Sequence, residues 1–158
     1  MFPDEETARI YLEGRLWKKG PVCPTCACGD RLTPRKQGFY RCNQCQLDFT
    51  IRTGTIFERS HIPLHKWLYA MYLLVTSRKG ISSMQLAKEI GVQQKSAWFM
   101  LHRLREACGG ELAKLHRYVD EFTFRLNDGD VKRHTIDRLD SFIDAVDGKR
   151  LTYARLIQ

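Results

Sequence analysis

The sequence predicts a small mixed α+β fold, and three observations carry that expectation. Two cysteine pairs, Cys23/Cys26 and Cys42/Cys45, each enclose two residues and lie among short alternating segments. Apolar residues at helical spacing then run from Leu64 to Val75. Two short helical patterns meeting at Gly91 follow, and a strand–turn–helix tail closes the chain. The 158 residues suit one average domain or two small ones. They divide into an N-terminal helix (1–20), a cysteine-rich segment (21–59), a helical segment (60–108) and a tail (109–158).

The elements follow from local pattern. In residues 4–17, Ala8, Tyr11, Leu12, Leu16 and Trp17 share a stripe, and Asp4, Glu5 and Glu6 sit where the positive end of a helix dipole favours acid. Lys18-Lys19-Gly20-Pro21 ends that helix, and residues 39–41 and 47–51 alternate as strands around the second cysteine pair. Leu64, Trp67, Leu68, Met71, Tyr72 and Val75 form the stripe of a longer helix, with Pro63 at its start and Gly80 beyond its end. Ser82 is an N-cap with Gln85 three residues on, and Ile81 and Leu86 supply a hydrophobic staple. That helix, Ser83–Ile90, stops at Gly91, and a second runs from about Gln93 toward Ala107 with Ala97, Met100, Leu101 and Leu104 inward. In the tail, 111–117 reads as a helical scrap, 118–126 as a strand and 127–130 as a turn. Residues 135–146 read as a helix with Ile136, Leu139, Ile143 and Val146 inward.

The cysteine spacing has a chemical meaning. A two-residue gap lets one backbone turn aim two thiolates at one ion, and the 15 residues between the pairs suit a hairpin that brings the turns together. Cys23, Cys26, Cys42 and Cys45 are therefore the expected ligands of one structural Zn2+ in a zinc ribbon. Four thiolates leave no position for water, so no catalytic metal is expected there. Cys28 is a spare or substitute thiol, and Cys108 an ordinary buried residue. His61 and His65 read as surface or phosphate-facing groups, and Trp17, Trp67 and Trp98 as packing residues.

The helical pair over 82–107 reads as a helix-turn-helix, with Ala87 at the crossing, Gly91 in the turn and Leu86, Ile90 and Val92 inward. Its second helix would enter a major groove of double-stranded DNA and present Gln93, Gln94, Lys95 and Ser96, with Trp98 nearby, to base edges. Arg78, His102, Arg103 and Arg105 are expected at phosphates, which position a protein without specifying sequence.

The formal charge of +8 supports this reading. Residues 61–108 carry 7 basic against 2 acidic side chains, whereas 109–158 carry 9 of each. No apolar run approaches the ~20 residues of a membrane helix. The N-terminus is acidic where a secretory signal would be basic and apolar, so reduced thiols and a cytoplasmic location are expected. The acidic residues of the tail, Asp120, Glu121, Asp128, Asp130, Asp137, Asp140, Asp144 and Asp147, read as a solvated face rather than a two-metal nuclease site.

Several motifs occur in order: Cys23-Pro24-x-Cys26, Cys42-x-x-Cys45, Thr53-Gly54-Thr55-Ile56-Phe57 and Ile62-Pro63-Leu64-His65-Lys66-Trp67. Gly91-Val92, Lys95-Ser96-Ala97-Trp98 and Met100-Leu101-His102-Arg103 complete the run. Together they resemble the N-terminal half of bacterial zinc-ribbon insertion-sequence transposases, which carry an RNase-H-like Asp-Asp-Glu nuclease. The tail resembles that family's C-terminal strip in Arg117-Tyr118-x-x-Glu121-Phe122-x-Phe124-Arg125-x-Asn127 and Gly148-Lys149-Arg150-Leu151-Thr152-Tyr153. Val119-Asp120-Glu121 also resembles the strand bearing the family's first catalytic Asp. On either alignment the full nuclease site is missing.

The resemblance implies a transposase-derived protein that binds transposon ends or related sites and has no catalytic residues for strand transfer. Retained dimer contacts would permit homo-oligomers, or hetero-oligomers with an intact transposase. Two other readings stand beside it: an active or trans-completed Asp-Asp-Glu transposase, and a zinc-stabilised protein-interaction module.

Overall fold

The computed structural model describes residues 3–77, 80–108 and 133–146. Over these residues the architecture is small mixed α+β: five α-helices and one three-stranded antiparallel sheet. The expected helix at 111–117, strand at 118–126 and turn at 127–130 lie outside the described residues, as do Arg78, Asp120 and Glu121.

Helix α1 (Glu5–Leu16) starts where the Asp4 carboxylate accepts a hydrogen bond from the Thr7 backbone N–H at 2.7 Å. Such a cap satisfies one of the free donors at a helix start. Ala8 and Leu12 are fully buried, and Tyr11, Leu16 and Trp17 pack at the edge of the same core.

The sheet is β1 (Leu32–Pro34), β2 (Tyr40–Cys42) and β3 (Asp48–Phe49), in that order. Leu32 pairs with Cys42, and Tyr40 with Phe49. The two strands expected at 39–41 and 47–51 are present in shorter form. The strand at 32–34 carried no alternation to announce it. Gly38 turns β1 into β2 with φ +74°, and a Cβ there would fall 2.5 Å from Arg9 Cδ. Glycine lets the ribbon lie directly on α1.

Helix α2 (Leu64–Thr76) is the central post. Leu64, Trp67, Leu68, Ala70, Met71, Leu74 and Val75 are buried, so its buried face is wider than the stripe read from sequence, while Tyr72 stays partly exposed. Pro63 serves as its N-cap. The Leu64 N–H, which proline cannot satisfy, donates to the Glu5 carboxylate of α1.

Helix α3 (Ser83–Ile90) begins with Ser82 Oγ accepting from the Gln85 N–H at 3.2 Å and ends at Gly91, whose φ of +64° places it in the left-handed region. Val92 and Gln93 complete the turn into α4 (Gln94–Cys108), which packs closely on α3. Ala97, Met100, Leu101, Leu104 and Ala107 are inward.

Helix α5 (Thr135–Asp144) closes the core against α1 and α2 with Leu139, Phe142, Ile143 and Val146. One expectation fails here. Ile136 is 52 % exposed, and Arg138 is turned inward instead, donating to the Val75 carbonyl at 3.1 Å near the end of α2. The unpaired carbonyls of a helix C-terminus attract a cation, which an isoleucine cannot supply. Asp140 and Asp144 are not simply a solvated face either, since both pair with Arg15 of α1, at 3.6 and 3.2 Å. Tyr11 donates to Asp140 at 2.5 Å. Burial, reinforced by that carboxylate, pushes the Tyr11 hydroxyl up to about 12.

Candidate functional site

The four sulfurs of Cys23, Cys26, Cys42 and Cys45 lie within 4.8 Å of one another, and two turns of the same design put them there. In the first turn the Ala27 N–H donates to the Cys23 carbonyl, and in the second the Gln46 N–H donates to the Cys42 carbonyl, both at 2.9 Å. Each turn closes on a non-glycine residue in the left-handed region, Ala27 at φ +55° and Gln46 at φ +61°. Sheet pairing of β1 with β2, together with the Cys42 N–H bonded to the Leu47 carbonyl, brings the turns face to face.

The spacing fits a tetrahedral ion. A Zn–S distance of about 2.3 Å places neighbouring sulfurs about 3.8 Å apart. Here Cys23 and Cys45 are separated by 3.6 Å, and Cys26 and Cys42 by 3.5 Å.

Backbone donors prepare the thiolates. The Cys45 and Gln44 N–H groups point at Cys42 and lower its thiol to about 6. Burial pushes Cys23 up, but the Cys26 and Thr25 N–H groups more than offset it and leave that thiol below its ordinary value. Cys26 receives the Cys28 N–H, yet burial and the adjoining thiolates of Cys42 and Cys23 raise it to about 12. Cys45 receives the Leu47 N–H and is likewise raised by burial and by Cys23 and Cys42. Four sulfurs this close cannot all carry charge unless a cation joins them. The set is a structural zinc site with every ligand position filled.

Around it the ribbon buries Cys23, Cys42 and Phe49, and Cys28 packs at its edge. Trp17 belongs to this cluster and to the helical core, with its ring edge-on to Tyr40 at 5.3 Å and Phe49 at 6.1 Å.

The second group of expected site residues lies along α4. Gln93, Gln94 and Lys95 are exposed at its start, Ser96 is half-buried, and Trp98 is partly exposed. The Trp98 and His102 rings meet at 4.2 Å. Gln94 also donates to Ser83 Oγ of α3 at 3.1 Å.

Two residues expected at phosphates are not on this face. Arg103 is 5 % exposed and donates through Nη1 to the carbonyls of Ile56 and Glu58, at 2.5 and 2.7 Å, with its guanidinium over the Phe99 ring at 4.4 Å. Arg105 is buried as well. A guanidinium enclosed by protein cannot reach a phosphate, so both are corrected to packing roles.

Sequence reasoning missed the residues that hold the connecting segment 50–63. Arg52 donates to the Ser60 and Ile62 carbonyls, each at 3.0 Å, and pairs with Glu5 at 2.7 Å. Thr55, Ile56 and Phe57 are buried beneath it. No helix among the described residues is long and apolar enough to cross a membrane.

This architecture defines a small mixed α+β protein that contains a zinc ribbon. Residues 3–48 match the family model described as a transposase zinc-ribbon domain, of the IS1595 type. The chain is also similar to an uncharacterized protein in transposable element ISH50 of Halobacterium salinarum, with 32% identity over 129 residues. The similarity covers 77% of this chain and 42% of the length of that relative. No solved structure matches the chain.

Proposed function

We propose that this protein binds double-stranded DNA sequence-specifically in a transposition-related role, without strand-transfer activity of its own. The observation that carries the reading is the start of α4. Gln93, just before α4, and Gln94 and Lys95 in its first turn are exposed at the start of a helix with no acidic residue in that turn, on a helix pair joined through Gly91. The pair has the order of a helix-turn-helix, and a helix start attracts phosphate while amide and ammonium groups suit base edges. In this reading Gln93, Gln94, Lys95 and Ser96 face bases, with Trp98 and His102 beside them. The ribbon at 21–59 and the helical unit at 60–108 act as one DNA-binding body, and transposon ends are the favoured targets.

The test is fluorescence anisotropy of zinc-loaded protein on labelled duplexes across a salt series. Affinity is expected to fall steeply with salt, because phosphate contacts release counterions. Gln94→Ala is expected to relax discrimination between sequences by about 1–3 kcal/mol. Absence of duplex binding at low salt would overturn the reading. The lack of strand transfer rests on the tail's resemblance to a terminal strip, and metal-dependent DNA cleavage that disappears in Asp120→Ala would reverse it.

A further inference from the structure

The turn that joins α3 to α4 carries a cation brought to it from another helix. Lys66 lies in the first turn of α2, and its Nζ donates to the Gly91 carbonyl at 3.0 Å. A Cβ built on Gly91 would stand 3.8 Å from the same Nζ, so the ammonium rests against that turn. Lys66 is half-buried, which restrains the stem that carries the charge.

Part of this contact is helix capping. Gly91 ends α3, and a cation at a helix C-terminus serves a carbonyl that has no partner within the helix. Capping uses one of the three N–H donors of an ammonium. Among the described residues, Lys66 Nζ makes that hydrogen bond and no ion pair, with Glu89 of α3 or with any other carboxylate. A charge and two donors are left over.

The distance from this charge to the start of α4 is bounded by the chain. Gln93 follows Gly91 by two residues, and two residues span at most about 7 Å. With the 3.0 Å bond to Gly91, the ammonium lies within about 10 Å of the Gln93 backbone. The turn between them is fixed: the Val92 N–H donates to the Ala87 carbonyl, and Gln94 Nε2 to Ser83 Oγ, both at 3.1 Å. A major groove is about 12 Å wide, so phosphates line it about 6 Å to either side of its middle. A helix start that reaches base edges brings a cation at this distance to a groove wall.

We propose that Lys66 is a preorganised phosphate contact: while it caps α3, its remaining donors take a phosphate oxygen on the wall of the groove that α4 enters. The proposal rests on the DNA-binding reading above. A charge-assisted bond of this kind positions the reading helix without specifying sequence. The Gly91 carbonyl and the packed stem already order the side chain, so less entropy is lost on binding.

The test separates cap from contact. Lys66→Gln keeps an N–H donor for the Gly91 carbonyl and removes the charge, Lys66→Met removes both, and Lys66→Arg keeps both. Each variant, as the full zinc-loaded chain, is melted and titrated against two labelled duplexes of unrelated sequence over a salt series. Lys66→Gln and Lys66→Met are expected to bind both duplexes several-fold more weakly, with a log–log salt slope shallower by about 0.9, while Lys66→Arg keeps the slope. Lys66→Gln is expected to melt within about 1 °C of the original chain, because the cap survives, and Lys66→Met below it. Unchanged affinity and slope in Lys66→Gln, with the original chain binding duplex, would overturn the proposal and leave Lys66 as a cap alone. A loss of affinity with the slope unchanged, or confined to one duplex, would overturn it as well. Failure of the original chain to bind either duplex at low salt would instead remove the reading on which the proposal rests.

Discussion

Replacing Arg103 by methionine separates two roles that sequence alone could not distinguish. Methionine keeps the length, the apolar stem and a high helix propensity, so α4 itself should persist. What disappears is the guanidinium that bonds the Ile56 and Glu58 carbonyls at 2.5 and 2.7 Å and lies over Phe99. Two hydrogen bonds to a charged donor are worth about 3–6 kcal/mol together, and releasing a buried cation from its desolvation cost offsets roughly half of that. The expected net loss is about 2–3 kcal/mol, or about 5–10 °C in melting temperature for a chain of this size. Thermal melting followed by circular dichroism, with a urea titration alongside, measures it. If Arg103→Met melts within about 1 °C of the original chain but binds duplex with a shallower salt slope, Arg103 is a phosphate contact and the clamp argument fails.

Removing zinc with a chelator, or substituting Cys42→Ser, is expected to unfold the ribbon while far-UV circular dichroism keeps most of the helical signal. Trp17 should become solvated and Trp67 should not, so a partial red shift in fluorescence is the expected readout. Gly91→Ala is expected to cost about 1 kcal/mol from left-handed backbone strain. Space is not the issue there, because a Cβ would stand 3.8 Å from Lys66 Nζ, so a urea midpoint equal to the original chain's would refute the strain argument. The Thr7 N–H holds the Asp4 carboxyl below its ordinary value. Its contribution is therefore present above the unfolded pKa and lost as pH falls through the folded one. Asp4→Asn should retain the cap and lose that acid dependence, which melting curves near neutrality and in acid would reveal.

The metal site was legible because its signal is local. Each cysteine turn is specified within four residues, and only one hairpin is needed to join the two. The Ser82 cap, the Gly91 turn and the α2 and α4 stripes were legible for the same reason. Arg103 was not, since its partners lie 45 and 47 positions upstream and are backbone carbonyls, which every residue possesses. Periodicity assigns a polar residue to solvent unless something distant claims it. Ile136 and Arg138 failed in the same way, because the carbonyl at the end of α2 outweighed the apolar pattern of α5.

The distribution of apolar burial explains why this ribbon needs a metal. The helical core gathers side chains from α1 through α5 and from segment 50–63, including Trp67, Phe142 and Phe57, whereas among the described residues the separate cluster around the cysteine turns buries Cys23, Cys42 and Phe49. A cluster that small cannot offset the entropy of ordering its turns. Zinc binding can, since an apparent contribution of about 10–16 kcal/mol is typical for structural thiolate sites. Once folded, the ribbon is held by Trp17 against Tyr40 and Phe49, by Arg9 beneath Gly38, and by the Arg52 and Arg103 clamps on the segment leading to α2. The last of these clamps stands on α4 itself. The four thiolates therefore do more than close a hairpin: through Trp17 and segment 50–63 they set how the ribbon is oriented against the helix whose exposed start presents Gln93, Gln94 and Lys95.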